Sequence, residues 1–162
     1  MHRVLVACLG MAAISAQGVA QVRIRNSGSL ALGTATAAIE ARSDGGVYLT
    51  VYGRGAAQVV RGGIDAVYSR RFAVEIDSLL AEKPDVIAGE SLEMPIIDMT
   101  ATVPKAAFII QRTVGAKPSL SFMASDASGS TKIPSQPSPA QLRAFAAALH
   151  KAAVNAQAMK DR

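Results

Sequence analysis

The chain has 162 residues, half of them apolar, which is one domain's worth with enough hydrophobic material for a packed core, so a disordered tail is excluded. Only 18% of residues are charged, and the 13 Gly and 7 Pro show no triplet period, which excludes a coiled coil and a collagen-like chain. Lys and Arg outnumber Asp and Glu by 17 to 12, a net charge of +5 that permits a diffuse attraction to anionic partners without naming one.

The first element reads as an export segment. Met1-His2-Arg3 is a short positive lead, Val4 to Ala16 is an apolar run too short to span a bilayer, and Gln17-Gly18-Val19-Ala20-Gln21 carries the small residues that a signal-peptide cleavage pocket admits. Cleavage is expected after Ala20, with Ala16 the alternative, and the product is expected in the periplasm or secreted. Leu5-Val6-Ala7-Cys8 has the order of a bacterial lipoprotein box, the alternative fate, but only seven residues precede Cys8 and acylation there would cut the apolar run in half. With Cys8 in the leader, residues 21–162 contain no Cys, hence no disulfide and no thiolate ligand or nucleophile.

Residues 21–162 read as a single β-rich domain. Val22-Arg23-Ile24-Arg25 alternates as a short strand that Asn26-Ser27-Gly28 breaks, and Leu30 to Arg42 reads as one long strand. Ser43-Asp44-Gly45-Gly46 is a turn cluster, after which Val47-Tyr48-Leu49-Thr50-Val51-Tyr52 is the clearest strand, so 30–52 form a hairpin. Gly62-Gly63 reads as the turn of a second pair, between Ala57–Arg61 and a strand over Tyr68 to Ile76. The competing reading of that last stretch is a helix presenting Tyr68, Phe72, Ile76, Leu79 and Leu80, with Asp65 as its N-cap. A helical turn over Asp77 to Lys83 ends at Lys83-Pro84-Asp85. Residues 84–105, with three prolines, read as a loop holding a short extended piece at Leu92 to Met94.

Strands are expected over 106–114, 119–125 and 131–133, separated by Gly115-Ala116-Lys117-Pro118 and Asp126-Ala127-Ser128-Gly129. Ser138-Pro139-Ala140-Gln141 combines a capping box with Pro at the first helical position and opens a helix over 138–160. Its buried stripe is Leu142, Phe145, Leu149, Ala152, Ala156 and Met159, opposite Arg143, Lys151 and Asn155. The fold class is α+β, mainly β: six to seven antiparallel strands in a meander packed with one C-terminal amphipathic helix. In that order of elements alone the chain is similar to pleckstrin-homology-like domains. No motif is shared with them, and the order implies no function.

The inventory excludes most catalytic chemistry. One His after residue 20, His150, cannot build a zinc site within one chain, so no metal is expected. A Ser-His-Asp triad would need that same His150, and there is no G-x-S-x-G elbow. Neither a P-loop nor a G-x-G-x-x-G fingerprint occurs, Gly53-Arg54-Gly55 being the nearest sequence, so no cofactor is expected. Glu75 and Asp77, two apart, would share a face of a strand and are the weak candidates for paired acid–base catalysis, against the plainer reading of a solvated strand face.

Charge is distributed unevenly. Residues 21–71 hold seven basic and three acidic groups, 72–99 one and seven, and 100–162 eight and two, so an acidic middle separates basic flanks. These charges either interleave on an ordinary surface or form a basic face from Arg23, Arg25, Arg54, Arg61, Arg70 and Arg71. Tyr48 and Tyr52 fall opposite Val47, Leu49 and Val51. With Thr50 and Arg54 they form an aromatic stripe able to stack on a ligand, unless a second layer covers them. Met94, Met99 and Met123 read as core filling. The candidate ligand residues are therefore Tyr48, Tyr52, Arg54, Arg70 and Arg71. The expected function is an exported, non-catalytic binding module of the bacterial envelope for a protein, glycan or lipid headgroup, anionic ones included, and not for nucleic acid. The alternatives are a small carboxylate-based hydrolase and a structural subunit assembling through strand edges.

Overall fold

The computed structural model describes residues 22–55, 57–81, 92–93, 97–100, 106–114 and 119–162. Their elements run β1 (Ile24–Leu32), β2 (Ala35–Arg42), β3 (Gly46–Tyr52), β4 (Val59–Asp65), α1 (Ala66–Ala81), β5 (Leu92–Glu93), β6 (Ile97–Thr100), β7 (Ala106–Val114), β8 (Ser119–Asp126), β9 (Lys132–Ser135) and α2 (Pro139–Lys160). The class is α+β and mainly antiparallel β, as the alternation implied, with the expected amphipathic helix at α2. Sheet A is the meander β1-β2-β3-β4. Sheet B has the order β5-β7-β8-β9, and β6 also pairs with β7. A helix, α1, stands between the two sheets in sequence, so the order departs from the run of strands and single helix that resembled pleckstrin-homology-like domains.

Several boundaries differ from expectation for local reasons. The first strand does not break at Asn26-Ser27-Gly28: the register shifts there in a bulge, where Asn26 Oδ1 accepts from the Gly28 N–H at 2.8 Å and Gly28 takes φ 100°. Residues 30–42 are two strands, turned at Gly33-Thr34 with Leu32 facing Ala35. Gly62-Gly63 is no turn but the middle of β4, paired with Leu49 and Tyr48.

The stretch read as a strand over Tyr68 to Ile76 is helical. Asp65 Oδ1 caps it by accepting from the Tyr68 N–H at 2.8 Å, and Phe72, Ile76 and Leu79 are buried at helical spacing. The helical turn expected at Asp77 is the end of this helix, whereas Lys83-Pro84-Asp85 lie outside the described residues. Within the expected loop 84–105, Leu92–Glu93 and Ile97–Thr100 are strands, and the rest, like Gly115 to Pro118 and residues 1–21, lies outside the described residues.

Burial alternates cleanly along β2 and β3 of sheet A. Ala35, Ala37, Ile39 and Ala41 of β2 and Val47, Leu49 and Val51 of β3 face inward. α2 lies across β1, β2 and β3 on that inner face. The alanines of β2 leave room for the helix, which answers with Ala146, Ala152, Ala153 and Ala156, all buried. The capping box is present, with Gln141 N–H on Ser138 Oγ at 3.2 Å and Ser138 N–H on Gln141 Oε1 at 2.8 Å. α1 packs along α2, and the buried Ser69 hydroxyl donates to the Leu149 carbonyl at 3.1 Å.

One hydrophobic core joins both sheets and both helices, with Phe122 of β8 set edge-to-face against Phe145 of α2 at 6.0 Å. The buried Ser135 of β9 fastens the β1–β2 turn. Its Oγ donates to the Leu32 carbonyl and accepts from the N–H groups of Thr34 at 3.0 Å and Ala35 at 3.4 Å. Among the described residues no helix is long and apolar enough to cross a membrane.

Candidate functional site

Because α2 covers one face of sheet A, the residues on the other face point away from the core. Cross-strand pairing aligns them in rows: Thr36, Tyr52 and Val59; Ala38, Thr50 and Arg61; Glu40, Tyr48 and Gly63. Tyr48 and Tyr52 do lie opposite Val47, Leu49 and Val51, and both are half-buried. Tyr48 lies back against Gly46, where a Cβ would fall 2.7 Å from the ring. The Arg42 guanidinium lies over the ring, 3.6 Å from its centroid. Tyr48 is thus already stacked against a cation of its own chain.

Arg42 was not among the sequence candidates. Its Nη2 is 3.4 Å from Glu40 Oε2, and its Nε is buried without a hydrogen-bond partner. That N–H is closed to an incoming group, but the Arg42 side chain is 31% exposed, and a carboxylate, phosphate or carbonyl oxygen would meet that exposed part. Arg61, beside Thr50, is exposed on the same face. The signal that would have found Arg42 is the register of the Ser43–Gly46 hairpin, which carries position 42 diagonally toward Tyr48.

The six arginines expected to share a basic face are separated. Arg25 pairs with the inward Ala41 and donates to Asn155 Oδ1 of α2 at 3.2 Å, and Arg23 donates to the Met159 carbonyl at 3.4 Å, so both tie the sheet to α2. Arg61 points from the opposite side of the sheet, Arg54 is exposed in the β3–β4 turn, and Arg70 and Arg71 are exposed on α1. Glu75 and Asp77 do not share a face. On α1 two positions turn through about 200°, and Glu75 Oε1 accepts from Arg71 Nε at 2.8 Å. The geometric basis for a catalytic pair is thereby removed.

Beside Tyr48 a cavity of about 300 Å³ is lined by Asp44, Asp65, Gly63 and Lys160, but Asp44 is engaged by the Gly46 N–H at 2.7 Å and Asp65 caps α1. A cavity of about 420 Å³ between the β1–β2 turn and β8–β9 is lined by Thr34, Met123, Pro134 and Gln136. His150 is exposed on α2 and Met123 is half-buried, while the side chains of Met94 and Met99 lie outside the described residues. Among the described residues there is no group of three or more His, Cys, Asp or Glu placed to hold a metal ion.

One carboxylate is strongly perturbed. Asp126 opens the β8–β9 turn, where hydrogen bonds from Thr131, then Ser128 and Ser130, hold its carboxyl well below the usual carboxylate range. Folding favours the ionised form, so the turn's contribution is complete above the unfolded Asp value of about 3.9 and fades only as pH falls toward the depressed folded value. The amide resonances of Ser130 and Thr131 are expected to stay unchanged from neutral pH to about pH 4, and Asp126→Asn to speed exchange of the Thr131 amide. A midpoint at the ordinary Asp value in an NMR titration would contradict this arrangement.

No family model matches the chain, and no curated protein matches it in sequence.

Proposed function

We propose that the protein is an exported, non-catalytic binding module of the bacterial envelope that engages a ligand bearing an anionic group on the outer face of sheet A. The observation that carries this reading is the partly exposed Arg42 side chain stacked on Tyr48, on the same face as Thr50, Tyr52 and the exposed Arg61. Guanidinium donors beside an aromatic surface suit a glycan, headgroup or peptide carrying a carboxylate or phosphate. The leader-like residues 1–20 support export.

The test starts from expression of the full chain in a bacterium, fractionation and native mass spectrometry. The expected product is a periplasmic or secreted protein lacking residues 1–20 that retains a ligand. Capture should weaken with salt and fall about tenfold in Arg61→Ala. A full-length mass confined to the cytosol would remove the export reading, and capture indifferent to both Arg61→Ala and Tyr52→Ala would remove this face as the site.

A further inference from the structure

The outward crest of α1 is apolar where a monomer's helix would be polar. Val67 is 71% and Val74 61% exposed on this crest, while Tyr68, 61% exposed, stands about 100° round the helix from Val67. Val67 and Val74, seven apart, fall on one line with Ser78 and Ala81, opposite the buried Phe72, Ile76 and Leu79. Charges flank the crest in a graded order. Arg70 and Asp77, also seven apart, lie on one flank, and Arg71 and Glu75 lie on the other. The first half of the helix is basic and the second half acidic on both flanks.

We propose that two copies of the chain associate through this crest, α1 against α1, antiparallel about a two-fold axis near Val74. In that arrangement Val74 meets the partner's Val74 and Val67 meets the partner's Ala81. The flanks then match: Arg70 faces the partner's Asp77 and Arg71 faces the partner's Glu75. A parallel pairing would set arginine on arginine and carboxylate on carboxylate, so the charge order selects the antiparallel one. Antiparallel helix dipoles act in the same sense. The Arg71–Glu75 pair within one helix is solvent-exposed and therefore weak, so sharing its charges with a second copy costs little. The contact is self-complementary, as a two-fold interface must be, and a helix of about 24 Å makes it a concentration-dependent rather than a permanent one.

Sedimentation velocity over a concentration series, on the protein recovered from expression of the full chain, tests this. The wild type is expected to move from monomer to dimer mass as concentration rises, and Val74→Glu to weaken the dimer at least about tenfold. Arg70→Glu with Arg71→Glu, and separately Glu75→Arg with Asp77→Arg, should each give a monomer with wild-type circular dichroism. An equimolar mixture of the two should regain dimer mass. As a second readout, Val74→Cys on a Cys8→Ser background should form a disulfide-linked dimer on oxidation, and His150→Cys on that background should not. A wild type that remains monomeric at its highest soluble concentration overturns the proposal. So do a dimer indifferent to Val74→Glu and folded charge variants whose mixture stays monomeric.

Discussion

Phe145→Ala is expected to cost about 3–5 kcal/mol of folding stability, the loss typical of a buried aromatic truncated in a core that cannot close around the gap. Phe145 is 0% exposed and meets Phe122 edge-to-face, so it ties α2 to sheet B while the rest of the helix's buried surface rests on sheet A and on α1. A domain of this size is stable by about 5–15 kcal/mol, so the variant approaches the limit of folding at 37 °C. Its melting temperature should fall by about 10–15 °C. Phe145→Leu retains most of the volume and should lose less than half as much. Denaturant titration with circular dichroism separates the two, and equal small losses would show that the Phe122–Phe145 contact does not couple helix to sheet.

Gly33→Ala is the second large effect, expected at about 2–4 kcal/mol although it adds one methyl group. Gly33 has φ 61°, where an L residue other than glycine loses about 1–2 kcal/mol. Its Cβ would also fall 2.5 Å from Ser135 Oγ and 2.6 Å from the Gln136 carbonyl oxygen. Moving aside breaks the bonds by which Ser135 holds Leu32, Thr34 and Ala35, and strands buried backbone groups at about 1–3 kcal/mol. Ser135→Ala, which removes the same bonds without backbone strain, should fall short of Gly33→Ala by the conformational part. If the two lose equal stability, Gly33 matters only through Ser135.

The same turn shows why part of the fold was hidden in the sequence. A two-residue hairpin at Gly33-Thr34 leaves Leu30, Leu32, Thr34 and Thr36 in unbroken phase, so two strands read as one. The Ser43–Gly46 hairpin and the Ser138 cap were legible because their signals are local: a cluster of turn residues, and a hydroxyl three residues before Gln141. α1 was ambiguous because Tyr68, Phe72 and Ile76 satisfy period two and period 3.6 alike. The decision lies in tertiary packing, with α2 burying Ser69, Phe72 and Ile76 while Val74, which a strand would have set beside Phe72 and Ile76, is exposed. Of the candidate site, Tyr48 and Tyr52 follow from alternation alone. Arg42 does not, since its place over Tyr48 depends on cross-strand register and on the missing side chain of Gly46.

The position of α2 sets a schedule for the nascent chain. β1, β2 and β3 are made first and pair locally, yet the cover for their inner face is the last element described and begins 87 residues after β3 ends. Until then Ala37, Ile39, Leu49 and Val51 have no permanent lid, and the sheet is a template for wrong partners. A chain that stopped translation before α2 would carry a paired but uncovered sheet, and so be a ready substrate for quality-control proteolysis.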